Sequence, residues 1–154
     1  MAVKRSERLT VILSLAEKEA QDAAKIMEQA RIALEFERHK LEDLIAYYNE
    51  YADSSSQKGK TVSVDNIARE RSFLVHLADV QQQQEKLVAQ HQQLVEQKKR
   101  NWQEKQLKFR ALGDLVDRII ADENKVLSRK EEKLLDDWYL QISQIREGNW
   151  RENI

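Results

Sequence analysis

The sequence predicts an all-α protein, a long two-helix antiparallel coiled-coil hairpin with a C-terminal helical overhang. The first observation is that its 154 residues include no proline and only three glycines, and a chain poor in both makes few turns. The second is an abundance of Ala, Leu, Glu, Lys, Gln and Arg, the best helix formers. The third is that one stretch alone, DSSSQKGKTVS at residues 53–63, interrupts the helical pattern.

The first predicted helix covers about residues 4–52 and carries a heptad pattern. Alternating steps of four and three give an apolar residue at nearly every step, with Glu37 as the charged exception. This stripe predicts a coiled-coil seam, and a long helix needs one because most helical stability comes from burying an apolar face. The stripe contains Leu9, Leu13, Ala16, Ala20, Ala23, Met27, Ala30, Leu34, Glu37, Leu41, Leu44, Tyr48 and Tyr51.

Residues 53–63 are predicted to be the connector, because clustered serines and a glycine favour a loop. The second helix is predicted over about 64–147, with Ser63 or Asp65 as its N-cap, and a flexible tail follows at 148–154. A short connector folds the second helix back antiparallel to the first. The whole chain, residues 1–154, is thus interpreted as a single hairpin.

The apolar residues of the two helices match in one register. In it, three of the opposed pairs are Tyr51 with Ile67, Glu37 with Gln81, and Leu9 with Phe109. The second helix contributes polar side chains to its half of the seam, at Gln81, Gln84, His91, Lys98 and Lys105. Lysine stems can lie along apolar surface while the ammonium group stays wet. We therefore expect the middle of the seam to be weakly packed.

In this register the second helix outruns the first by about thirty residues, from the equal rise of two helices. This overhang, expected over about 117–147, carries apolar residues at helical spacing. An unpaired apolar stripe is a liability in a monomer, so it must self-associate, fold back or dock into a partner. Its candidate partner-binding residues are Ile119, Val126, Leu134 and Trp138.

No pattern in the sequence indicates catalysis, so we expect no enzyme, no catalytic residue, no cofactor and no metal. There is no cysteine, and His39, His76 and His91 are too far apart in sequence for a ligand motif. The net charge is −1. The basic run at 97–110 is therefore interpreted as a solvated coiled-coil face in preference to a nucleic-acid site.

The apolar segments are too short for the roughly 20 residues that span a bilayer. The basic N-terminus has a short apolar part that acidic residues follow at once, unlike a secretory signal. We therefore expect a cytoplasmic protein with no direct membrane insertion.

Three motifs together resemble the flagellar export protein family FliJ. They are LAEKEAQDAA at 15–24, LEDLIAYYNEY at 41–51 and NWQEKQLKF at 101–109, in this order around a Ser/Gly-containing connector. The resemblance runs from about Leu9 to Leu127, and the tail WYLQISQIREGNWRENI departs from the family pattern. It implies a non-catalytic stalk and escort of type III protein export, similar to the central stalk of F-type ATPases.

The resemblance also implies partners and a location. The partners are a hexameric export ATPase, a membrane export gate protein and export chaperones, with no nucleic acid among them. The location is peripheral, at the cytoplasmic face of the inner membrane at the flagellar base.

On this chain, the family's gate-contacting patch would consist of Leu44, Tyr47, Tyr51, Phe73, Leu77 and Val80, here called the tyrosine pad. Tyr47 lies about 100° round the helix from Tyr48, so it faces obliquely away from a narrow seam. Tyrosine suits an interface because its ring buries area while its hydroxyl stays wet. Two interpretations remain open: the pad docks a partner, or it packs the end of the hairpin.

An alternative function is a generic structural coiled-coil tether or spacer that self-associates through its overhang. A basic-helix nucleic-acid binder is the third candidate.

Overall fold

The computed structural model describes residues 4–57 and 63–152, and these form two helices. Helix α1 runs Arg5–Gln57 and helix α2 runs Val64–Glu152. The two helices pack against each other as a helical hairpin, which confirms the predicted fold class. The chain divides into two compact units, one of Lys18–Leu107 and one of Met1–Glu17 with Lys108–Ile154.

Helix α1 ends five residues later than predicted, so the first five residues of the predicted connector, 53–57, belong to the helix. It continues through the serine cluster to Gln57, because neither proline nor glycine occurs before Gly59 and serine is tolerated in a helix at modest cost. The rest of the predicted connector, at 58–62, lies outside the described residues.

Helix α2 begins as predicted and ends later. The hydroxyl and the carbonyl of Ser63 both accept from the backbone N–H of Asn66, at 3.4 and 3.1 Å, so Ser63 caps the helix and satisfies one of its free donors. The helix continues to Glu152, whereas a flexible tail was predicted from 148. Gly148 does not end it, because one glycine costs a helix only about 1 kcal/mol.

The predicted seam of α1 is the buried face of that helix. Every predicted seam position from Leu9 to Tyr51 is buried or half-buried. Small side chains dominate the most buried part, and they allow the helix axes to approach closely. The buried apolar residues of this seam are Ala16, Ala20, Ala23, Ala30 and Leu34.

The seam of α2 is more polar, as the sequence predicts. Positions spaced by four and three from Glu70 to Glu123 are buried or half-buried, but only Leu77 and Val116 among them are buried apolar residues. The Nδ1 atom of His91 is enclosed and has no hydrogen-bond partner within the described residues. An enclosed polar atom without a partner costs stability, so the seam is weaker at His91.

The register within Lys18–Leu107 differs from the predicted one. The side-chain amide of Gln84 donates to the Glu37 carboxylate at 2.6 Å and to the Glu37 carbonyl at 2.9 Å. Glu37 was predicted to face Gln81, about one turn earlier on α2. Because α1 continues five residues further than predicted, the residue of α2 opposite a given position of α1 also lies further along the chain.

The second unit shows a larger shift. The Ser6 hydroxyl donates to the Glu123 carboxylate at 2.7 Å, and the Ser6 backbone N–H donates to it at 3.2 Å. The predicted register placed Phe109 opposite Leu9, only three residues from Ser6. Pairing therefore extends along α2 to Glu123, and the overhang begins after this residue instead of near 117.

Glu123 also completes the N-terminus of α1. The first backbone N–H groups of a helix lack partners within it, and a carboxylate there is favoured by the helix dipole. The hydrogen bonds from Ser6, and to a smaller degree the charge of Lys4, hold the pKa of Glu123 below its ordinary value of 4.5.

We expect Gln84→Ala to lower the free energy of unfolding by about 1–3 kcal/mol, because Glu37 would lose its partner across the seam. Glu37 is only 9% exposed, and Lys40 at 3.7 Å would remain its neighbour. Urea denaturation followed by circular dichroism measures the change. Exposed Gln83→Ala is the control, within about 0.5 kcal/mol of wild type. An equal loss in both variants would contradict this role.

We expect Ser6→Ala to raise the pKa of Glu123 towards its ordinary value, because the substitution removes the hydrogen bond from the Ser6 hydroxyl to the Glu123 carboxylate. A lowered folded pKa stabilises the protein above the unfolded pKa, and this stability is lost as the pH falls through the folded pKa. The variant should therefore lose less stability on acidification than wild type. A carbon-13 NMR titration of the Glu123 carboxyl measures the pKa, with exposed Ser14→Ala as the control. No difference between the two variants would refute the contact.

Candidate functional site

An aromatic cluster that joins the two helices forms the centre of the tyrosine pad. The Phe73 ring on α2 lies 4.7 Å from the Tyr51 ring at 61°, and 6.3 Å from the Tyr47 ring at 84°, centroid to centroid. Both are edge contacts, which aromatic rings prefer to face-to-face stacking. The structure therefore brings together three of the six predicted pad residues by direct ring contact.

The pad residues differ in what they offer to a partner. Tyr47 is 50% exposed, whereas Leu77 is 8% exposed and belongs to the seam. The other four members, Leu44, Tyr51, Phe73 and Val80, are half-buried. Leu77 is thus too buried to contact a partner directly, and Tyr47 is the most accessible side chain of the pad.

A groove of about 450 Å³ lies beside the pad. Leu44 and Tyr47 line it together with Lys40, Asp43 and Gln84. Gln84 therefore has two roles, because its amide also holds Glu37 in the seam. The groove gives the apolar pad a rim with charges of both signs, as is usual at protein interfaces.

Phe36, Lys40 and Asp43 were not among the predicted residues of this surface. Phe36 is 60% exposed, and the Lys40 ammonium lies 4.5 Å from the centre of its ring, a cation–π distance. The signal was present in the spacing, because Phe36, Lys40 and Tyr47 are separated by four and seven residues and so share one face of α1.

The four residues predicted to form the overhang site do not lie together in the structure. Ile119 is half-buried and lies before Glu123, within the paired part of α2, so its assignment to the overhang was wrong. Ile119 and Val126 line one groove of about 460 Å³ with Lys4 and Arg5 of α1. Leu134 and Trp138 lie further along α2, exposed at 69% and 57%.

The described residues hold no group of three or more His, Asp or Glu side chains placed to bind a metal ion. Within 4–57 and 63–152, neither helix contains a segment with the length and apolarity needed to cross a bilayer.

Two packed helices with exposed apolar and aromatic side chains define a class, the helical hairpins that present side-chain surfaces. Within this class, a family model described as the flagellar FliJ protein matches residues 5–148. The chain therefore belongs to the FliJ family, and this membership supports a role in flagellar protein export.

The flagellar FliJ protein of Salmonella typhi is 27% identical over 131 residues, which cover 84% of this chain and 89% of that relative. No solved structure matches the chain. The family match extends past Leu127, where the sequence resemblance was expected to end, and includes most of the overhang.

Proposed function

We propose that this chain is a non-catalytic stalk and escort of flagellar type III protein export. In this role it associates with the hexameric export ATPase, contacts the membrane export gate and helps to recycle export chaperones. It acts peripherally at the cytoplasmic face of the inner membrane. The family match over residues 5–148 supports the pathway, and the aromatic cluster supports the contact with the gate.

The observation that carries the gate contact is the way Phe73 holds Tyr47. The Tyr47 ring is half exposed but rests edge-on against Phe73 at 6.3 Å. A ring already held in place loses little conformational freedom on binding. Exposed aromatic residues of this kind are typical binding hot spots. The tyrosine pad is therefore prepared to dock an apolar patch of the gate protein.

The contact with the ATPase is assigned to the unit of Met1–Glu17 and Lys108–Ile154. There the Ser6–Glu123 hydrogen bonds hold the start of α1 against α2. The exposed apolar side chains Val11 and Leu15, at 63% and 58%, offer contact area on α1. Two helices of about 10 Å diameter each are slim enough to enter the centre of a ring.

The second candidate is a structural tether or spacer that self-associates. The exposed apolar residues of the overhang favour it, because self-association would cover them. The two candidates differ in the contacts that they require: a tether needs no specific contact through the tyrosine pad and no contact with the ATPase.

We expect Tyr47→Ala to weaken binding to the cytoplasmic part of the export gate by on the order of 1–3 kcal/mol, the size of a hot spot. Its binding to the export ATPase should not change, because the ATPase contact uses the other unit. Calorimetry with each purified partner measures both affinities. Val75→Ala is the matched control, because Val75 is 69% exposed on α2 close to the pad in sequence but outside it.

Melting curves separate docking from packing. Tyr47→Ala should cost less than about 1 kcal/mol of stability because its side chain is half exposed, whereas buried Leu77→Ala should cost about 2–4 kcal/mol. If Tyr47→Ala binds the gate normally, or if it destabilises the protein as much as Leu77→Ala, the pad is a packing feature. Wild type that binds neither the gate nor the ATPase would favour the tether.

A further inference from the structure

The apolar stripe of the overhang is not a continuation of the hairpin seam. If the heptad spacing of α2 is continued past Glu123, most seam positions are charged or polar, with Val126 and Leu140 as the apolar exceptions. These positions are Val126, Lys130, Lys133, Asp137, Leu140, Gln144 and Glu147. A different face carries four apolar residues at heptad steps of three, four and three: Leu135, Trp138, Ile142 and Ile145. This second face, here called the overhang stripe, is therefore built for a helix other than α1.

The overhang stripe is uncovered in the single chain. Leu135, Trp138 and Ile145 are 58%, 57% and 64% exposed, and Ile142 is half-buried. Two complete a and d pairs of a heptad are the minimal seam of a two-stranded coiled coil. Polar Glu131 and Asn149 occupy the next positions at each end, so the apolar stripe has defined limits.

We propose that the overhang stripe binds the same stripe of a second copy of this chain, with the two overhangs antiparallel. The two-fold axis then crosses the overhang at the level of Leu140, which itself lies on the opposite face. In this arrangement Leu135 packs against Ile145 of the second copy, and Trp138 packs against Ile142 of the second copy. The same contacts recur in reverse, because a two-fold interface pairs each residue twice. Every position of the overhang stripe thus meets an apolar side chain of the second copy.

The flanking residues fit this register. Glu132 faces Arg146 of the second copy on one side of the seam, and both side chains are exposed in the single chain. Leu134 faces Gly148 of the second copy, and Gly148 borders open space in the single chain. The missing side chain therefore leaves room for Leu134.

A parallel pair would use the same stripe less well. It would set Trp138 against Trp138, and it would place Gln141 beside Arg146, where no ion pair forms. Charge complementarity and the match of a large side chain with a smaller one thus both favour the antiparallel arrangement.

The first test is the molecular mass of the full chain as its concentration rises, measured by sedimentation. Wild type should pass from monomer to dimer. Glu132→Arg and Arg146→Glu should each raise the dimer dissociation constant on the order of tenfold or more, because each places like charges together twice. The double variant with both changes should return to the wild-type constant.

The matched control is Asp137→Arg, which changes the charge equally but on the continued seam face, outside the overhang stripe. It should leave the dissociation constant within about threefold of wild type, which is less than the effect of 1 kcal/mol. A chain that stays monomeric at every concentration overturns the proposal and leaves the stripe to a different protein. A double variant that fails to recover overturns the proposed register.

The second test fixes the orientation. The chain has no cysteine, so a single introduced cysteine reports one contact. Gln141→Cys lies beside the antiparallel two-fold axis and should form a disulfide-linked dimer under mild oxidation, whereas Asp137→Cys should not. Equal cross-linking of both would refute the antiparallel pairing. Neither test involves an export partner, so the result does not depend on the proposed function.

Discussion

The structure depends on the seam between α1 and α2. Helices of 53 and 89 residues gain little stability from local propensity alone and need an apolar partner surface. The alanines of α1 provide close approach, and the larger aliphatic residues of both helices fill the rest. Across this seam, the Glu37–Gln84 hydrogen bonds add a polar contact that favours the alignment in which these two residues meet. Buried polar contacts of this kind fix the register of coiled coils.

The exposed surfaces follow from this alignment. With Leu77 buried in the seam and Tyr51 half-buried there, Tyr47 faces outwards. Phe73 then contacts the rings of both tyrosines. At the start of α1, the Ser6–Glu123 contact sets where pairing ends on α2. Every apolar side chain of α2 beyond that point belongs to the overhang. The positions of the tyrosine pad and of the overhang are thus consequences of where the seam begins and ends.

The fold class and the seam of α1 could be predicted because heptad spacing states directly which face is buried. The same spacing does not state which residue of α2 lies opposite each residue of α1. Glu37 was matched with Gln81 in the register that paired the apolar residues of the two helices, and polar Gln84 lies one turn later on α2. The end of α1 was also misjudged, because the serines at 54–56 resemble a loop in composition while the structure continues the helix through them to Gln57.

The predicted surfaces show the same limit. Tyr47 could be assigned to an outward face from its angle to Tyr48, and its exposure agrees. Leu77 could not be separated from the pad, since burial depends on the register. Ile119 was placed on the overhang for the same reason. The groove residues Lys40 and Asp43 share a face of α1 with Tyr47, but they carry no apolar signal, so the predicted pad did not include them.

The extent of the seam is tested most directly by hydrogen exchange of the backbone amides, read by mass spectrometry at a protein concentration low enough to keep the chain monomeric. Amides of Leu9–Tyr51 on α1 and Glu70–Glu123 on α2 should exchange slowly. Amides of the overhang at 124–152 should exchange at least about tenfold faster, because unpaired helix opens locally at low cost. Protection on α2 that stops near Phe109, or that continues unchanged through the overhang, would contradict the alignment on which the fold and both surfaces depend.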